Sequence, residues 1–180
     1  MTNVLLAAGA SVAVYKACDL ASKLTQAGHA VRTVLTPAAA RLVSPQLFEA
    51  VSGEPALVDE FSEQRRGAMD HIELASWAEL FLVAPATADL IARLALGLAG
   101  DLAGTVSLAL APGTPRLLCP AMNPNMLAAP VVQRHLELLR GDGWEVVEPA
   151  EGHLACGDAG RGRLPEPDEI LARVRALAGE

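Results

Sequence analysis

Leu80-Phe81-Leu82-Val83-Ala84-Pro85-Ala86-Thr87-Ala88-Asp89 is an unbroken apolar run that ends at a proline and opens onto a helix-forming stretch. Residues 80–84 show no alternation of polar and apolar side chains, so a strand here must be covered on both faces. Thr87 stands where a helix cap is expected, and residues 88–98 carry the helical period. The same order recurs on either side. Residues 4–8 form an apolar run ending at Gly9, and 12–27 follow as a helix closed by Gly28. Residues 31–35 read as a second strand ending at Thr36-Pro37, and 38–51 as a helix interrupted by Pro45. Residues 53–69 connect without clear period. At 70–78 a short helix is expected, with Asp70 as N-cap and Glu73 three residues on, close to a capping box. Residues 105–110 lean to helix. Two further strands lie at 116–119 and 145–147 with a helix at 131–140 between them, and a final helix spans 168–178.

Short, fully apolar strands alternating with helices specify a mostly parallel sheet with helices on both faces. The expected architecture is α/β, a three-layer doubly wound sheet of flavodoxin or Rossmann type. Residues 1–180 form one domain, with no repeat, low-complexity tract or linker dividing them. Hydrophobic residues make up 52% of the chain but aromatics only 3%, which suits a helix-rich α/β core better than an all-β one. The net charge of −7 argues against a nucleic-acid surface. No apolar run approaches the roughly 18 residues of a membrane span, and no basic stretch precedes Val4. A cytoplasmic protein without membrane or nucleic-acid partners is the expectation. Cys18, Cys119 and Cys156 show neither paired spacing nor accompanying histidines, so no metal site is expected.

In such sheets ligands bind at the carboxyl ends of the strands, which directs attention to the loops at Gly9, Thr36, Pro85 and Pro120 and to the Cys156 region. Gly9-Ala10-Ser11 precedes a helix whose first backbone N–H groups, with the Ser11 hydroxyl, suit a phosphate; Ser11 can equally be a plain cap. The GxGxxG spacing is absent, and the second strand ends in Thr36 rather than an acid that would hold a dinucleotide ribose. A mononucleotide such as FMN fits better. Thr87 can donate to a flavin or phosphate oxygen, or cap its helix. His71, at a helix start among Asp70 and Glu73, can serve as a base near neutral pH or be a solvated helix-end histidine. In Cys119-Pro120-Ala121-Met122-Asn123-Pro124-Asn125-Met126, two prolines fix the backbone around Asn123. Its carboxamide can then meet a carboxylate or a flavin edge, or cap the next helix. Ala155-Cys156-Gly157-Asp158-Ala159-Gly160-Arg161-Gly162-Arg163 joins a thiol to two guanidiniums in a glycine-rich stretch. It reads as a loop over a ligand or as a surface connection.

Taken in order, these segments resemble the flavin-dependent cysteine decarboxylases, specifically the phosphopantothenoylcysteine decarboxylase family of coenzyme A biosynthesis. Residues 9–16 are similar to that family's phosphate loop, 70–74 to its histidine motif and 84–88 to its flavin-binding turn. Residues 120–126 match its Pro-x-Met-Asn-x-x-Met signature and 155–163 its substrate clamp, placed within a glycine-rich loop at 152–166. Two departures are Leu127, where an aromatic residue is frequent, and Ala10, where glycine or serine is frequent. The resemblance implies FMN as cofactor, contacted by Gly9, Ser11, Thr36 and Thr87. It implies 4'-phosphopantothenoylcysteine as substrate, bound by Asn123, Met126, Ala155, Cys156 and Gly157. In the implied chemistry the thiol-bearing carbon is oxidised to a thioaldehyde, which accepts the electrons released with CO2; the resulting enethiol is then reduced. His71 would act as base or orienting group, Asn123 would bind the substrate carboxylate, and Cys156 would protonate the enethiol. A homo-oligomer built from trimers, up to a dodecamer, is implied, as is a phosphopantothenate–cysteine ligase, separate or fused to this domain. Two alternatives within reach are a peptidyl-cysteine decarboxylase acting on a ribosomal peptide and a non-catalytic flavin-binding regulatory subunit; flavin prenyl transfer is a more distant third.

Overall fold

The computed structural model describes residues 1–60, 69–153 and 159–179. Strands β1 (Asn3–Ala8), β2 (Ala30–Leu35), β3 (Leu80–Ala86), β4 (Arg116–Pro120) and β5 (Glu145–Val146) form a sheet in the order β2-β1-β3-β4-β5. Every pairing within it is parallel. This is the 2-1-3-4-5 order of flavodoxin-like doubly wound domains. The helices are α1 (Val14–Gln26), α2 (Pro45–Ser52), α3 (Asp70–Trp77), α4 (Ala88–Ala95), α5 (Leu102–Ala109), α6 (Pro124–Ala128), α7 (Pro130–Gly141) and α8 (Pro167–Leu177). No helix among the described residues is long and apolar enough to cross a membrane.

Successive strand residues point to opposite faces of a sheet, and the core divides accordingly. Leu5, Ala7, Phe81, Val83 and Leu118 belong to one buried cluster; Val4, Leu6, Ala8, Leu80, Leu82 and Cys119 belong to the other. Leu74, Leu90, Val106 and Leu136 bring α3, α4, α5 and α7 onto the first face. Leu20, Leu24, Phe48 and Ile170 bring α1, α2 and α8 onto the second. Each such leucine contributes about 1.5–3 kcal/mol by leaving water, which is why the strands could dispense with alternation. Burial, with a contribution from Glu145, pushes the Cys119 thiol far above its ordinary range. Cys119 therefore packs as a small neutral hydrophobe.

Several local expectations are corrected. The helix expected over 38–51 is a single 3₁₀ turn, Ala39–Arg41, followed by α2 with Pro45 at its first position. Proline lacks the N–H an interior position would need and drives Ser44 to extended geometry, so it starts a helix instead of continuing one. At α3 the cap position falls to Met69, without a side-chain bond, and Asp70 lies inside the helix, 1% exposed. Glu73 does not reach back to close a capping box; its carboxylate accepts a bond from Arg32 Nη1 at 3.1 Å. Helix α5 begins at Leu102, ahead of the expected 105, because Asp101 caps it through Gly104 N–H at 2.9 Å. Gly104 masks the pattern there, and a Cβ at that position would lie 2.6 Å from the Leu98 carbonyl oxygen.

The largest correction concerns residues 152–166. Among the described residues of that span, strands β6 (Ala150–His153) and β7 (Ala159–Arg163) pair antiparallel beside the main sheet, and residues 154–158 lie outside the described residues. The glycines of β7 serve close packing. A Cβ on Gly162 would lie 2.1 Å from the Met122 carbonyl oxygen, and one on Gly160 would lie 3.0 Å from Pro124 Cγ. Composition suggested flexibility where the backbone needed room.

Candidate functional site

At the carboxyl ends of β1 to β4 a cleft of about 380 Å³ opens, within the usual range of small-ligand sites. Ser11, Thr36, Thr87 and Met126 all line it. The three hydroxyls come from three successive strand ends, and each is fixed by its own local bond. Ser11 Oγ accepts from the Ala13 N–H at 3.2 Å, Thr36 Oγ1 from the Ala39 N–H at 3.2 Å, and Thr87 Oγ1 from the Leu90 N–H at 3.3 Å. The capping reading and the binding reading of these residues are therefore compatible. A hydroxyl that accepts from the backbone still carries one proton to donate. Three such donors, set near the N-termini of α1 and α4, favour a ligand rich in anionic or carbonyl oxygens.

Gly9 shapes this wall from behind. Its N–H donates to the Pro85 carbonyl oxygen at 2.9 Å, and a Cβ there would lie 2.9 Å from that oxygen and 3.2 Å from Thr87 Oγ1. Ala10, Ala38, Ala88 and Ala121 with Met122 and Met126 make up the apolar part of the wall, which suits a flat ring.

Two lining residues, Asp89 and Arg93, were missed in the sequence. Arg93 donates to Asp101 at 2.6 Å and to Asp89 at 2.7 Å. Burial works against its charge, but the hydrogen bond and charge of Asp101, joined by Asp89, outweigh it and hold the guanidinium above its ordinary range. This cation is already neutralised, so ligand charge falls to the hydroxyls and helix termini. The Asp89–Arg93 spacing of four on one helix was the available signal.

Asn123 caps α6, its Oδ1 accepting from the Asn125 N–H at 2.8 Å. The bond fixes the carboxamide plane; Met122 and Met126 line the cleft on either side of it in the chain, while Asn123 itself is not among the lining residues. His71 does not line this cleft. Its Nδ1 lies 3.1 Å from a Glu60 carboxylate oxygen, a partner the sequence reading did not identify because residues 53–69 offered no period. Ala155, Cys156 and Gly157 lie outside the described residues.

A flavodoxin-like sheet whose strand ends present hydroxyl donors and an apolar wall defines a doubly wound α/β protein with a small-ligand cleft. The residues fit a flavin: oxygen-rich at the strand ends, apolar at Met122 and Met126. The flavoprotein family model matches residues 1–179, and the chain belongs to that family. It is 47% identical over 169 residues to the coenzyme A biosynthesis bifunctional protein CoaBC of Bacillus subtilis, covering 94% of this chain and 41% of that protein. The chain thus spans about two fifths of the bifunctional relatives. A probable phosphopantothenoylcysteine decarboxylase of Streptococcus mutans is 37% identical over 172 residues, 96% of either chain. Among solved structures, a PPC decarboxylase cysteine-to-serine mutant complexed with pantothenoylaminoethenethiol superposes with a TM-score of 0.90 at 31% identity, covering 99% of both chains. The FMN-dependent cysteine decarboxylase SpaF superposes with a TM-score of 0.85 at 28% identity, covering 100% of this chain and 98% of that one.

Proposed function

We propose that this domain catalyses the FMN-dependent decarboxylation of 4'-phosphopantothenoylcysteine to 4'-phosphopantetheine. The observation that carries the reading is Asn123, fixed by its cap bond and adjacent in the chain to Met122 of the cleft wall. A substrate carboxylate needs a rigidly oriented partner, and a carboxamide whose plane is fixed by a cap bond is held in one orientation. Bound FMN would supply reversible two-electron chemistry at the thiol-bearing carbon. Ser11, Thr36 and Thr87 would donate to its oxygens, and the Asn123 amide would orient the carboxylate for loss of CO2. Cys156 would give the proton that completes reduction of the enethiol. The two cysteines among the described residues are poor substitutes. Cys119 is fully buried, and burial, aided by Asp19, raises Cys18 as well.

His71 lies away from the cleft of its own chain, so we place it in the site of a neighbouring copy within a homo-oligomer of trimers. Exposed Met69 and Ile72 beside it, and exposed Val12 and Tyr15 at the start of α1, supply apolar surface for such contacts. The bifunctional relatives point to a phosphopantothenate–cysteine ligase as the source of substrate.

Two outcomes test this directly. Purified protein should be yellow with an FMN spectrum, and incubation with phosphopantothenoylcysteine should give a product lighter by one CO2 by mass spectrometry. A colourless protein that cannot be reconstituted, or no mass change, would overturn the reading. The likeness to SpaF favours one second reading, a peptidyl-cysteine decarboxylase. Mass loss only from a peptide ending in cysteine would select it. Cys156→Ser should stop after CO2 loss, accumulating enethiol with reduced flavin. The enethiol named in the complex of the mutant relative supports that expectation. Normal product from Cys156→Ser would make the residue structural.

A further inference from the structure

Strand β7 lies across the segment that carries Asn123. The Met122 N–H donates to the Gly162 carbonyl oxygen at 3.0 Å, immediately before the amide residue. Gly160 and Gly162, two apart, share one face of the strand, and that face is pressed against residues 122–124. The opposite face carries Arg161 and Arg163. Arg161 pairs with Glu148, which also accepts from Arg140 at 2.8 Å. Arg163 pairs at 3.2 Å with Glu166, which also accepts from Lys16 at 2.7 Å. These ion pairs are half-exposed, and such pairs hold little by themselves. Seating of the strand pair therefore rests on the glycine face and its backbone bond.

We propose that Gly162 is a positioning residue for Asn123, through the bond to Met122; this rests on the reading of Asn123 as the carboxylate-binding amide. The missing side chain lets the two backbones approach closely enough for that bond. A methyl group at Gly162 would meet the Met122 carbonyl oxygen at 2.1 Å, less than any carbon–oxygen contact tolerates. Either β7 or Met122 must then shift, on the order of 1 Å, and Asn123 is the next residue along. A misplacement of that size at a reacting group costs about 10²-fold in rate. The three hydroxyls assigned to the flavin sit on other elements, in the loops after β1, β2 and β3, so a shift at Met122 of the cleft wall should weaken FMN binding less than it lowers turnover.

The test compares three alanine variants of the holoenzyme. Gly162→Ala should lower kcat/KM about 100-fold at saturating FMN, with a smaller loss of FMN affinity. Gly160→Ala meets only the edge of the Pro124 ring, at 3.0 Å, and should lose several-fold. Gly53→Ala, at φ +76 with nothing within 4 Å of its Cβ, carries the backbone penalty of a left-handed position but lies at the end of α2. It should lower Tm and leave kcat/KM unchanged. Turnover by Gly162→Ala within twofold of wild type overturns the proposal, as does activity that merely tracks Tm across the three. If Gly162→Ala does not fold, the Gly160→Ala and Gly53→Ala pair decides, and equal activities in those two overturn it. Inactive wild-type protein instead defeats the decarboxylase reading, and the positioning role with it.

Discussion

Asn123→Asp is expected to fold, to bind FMN and to lose decarboxylation by two to three orders of magnitude. The substitution separates the two roles that Asn123 combines. Aspartate is as good an N-cap as asparagine, so the bond from the Asn125 N–H, 2.8 Å in the wild type, can be kept and α6 should start at the same residue. If capping were the whole purpose of the residue, activity would be unchanged. A substrate carboxylate placed against the new charge is a different matter. Two like charges about 4 Å apart in a partly screened site repel by roughly 4 kcal/mol, and each 1.36 kcal/mol is tenfold in rate. Relaxation and solvent reduce this, giving an expected loss of about 10²–10³. Asn123→Ala should lose the amide and also the cap, about 1 kcal/mol of stability. Steady-state kinetics beside a melting curve decides. Near-normal turnover of Asn123→Asp, with an unchanged Tm, would leave Asn123 as a cap alone.

The same overlap between capping and binding governs how far the sequence could be read. The sheet was legible because burial on both faces writes itself into composition: β3 must be apolar throughout, and β1 nearly so, whatever the loops do. Ser11, Thr36 and Thr87 were legible because strand ends are where such folds bind ligands, and the structure brings all three into one cleft. What escaped depended on distant partners. Nothing near residue 73 shows that Glu73 bonds Arg32 from another element, or that Glu60 reaches His71. Arg93 carried no local signal of a role, because Asp101, 5% exposed and eight residues on, holds it in the cleft wall. The β6–β7 pair was hidden for the opposite reason. A strand rich in glycine lacks the β-branched and aromatic residues that mark strands, and its glycines answer to residues 122–124, far back in the sequence.

Gly9→Ala should weaken flavin binding about 10- to 100-fold. Residue 9 directly follows β1, and its N–H is already bonded to the Pro85 carbonyl oxygen at 2.9 Å. The added carbon would lie 2.9 Å from the same oxygen and 3.2 Å from both Thr87 Oγ1 and Cγ2. Neither neighbour can yield cheaply. Pro85 belongs to β3, buried along its whole length, and Thr87 is tied to the Leu90 N–H as the cap of α4. The strain must part the end of β1 from the 85–87 turn, which overpacking data put at about 1–3 kcal/mol. For a chain of this size that lowers Tm by roughly 2–12 °C. The parting also moves the Ser11 hydroxyl away from that of Thr87, so a ligand that bonds both must lose at least one. A lost hydrogen bond of about 0.5–1.5 kcal/mol, added to the distorted wall, should raise the flavin dissociation constant about 10- to 100-fold. Fluorescence titration of the apoprotein with FMN measures this, with Gly100→Ala, whose Cβ meets nothing within 4 Å, as the control. A lower Tm with unchanged FMN affinity would show that the β1 turn supports the sheet and not the cofactor, and would move the flavin away from Ser11.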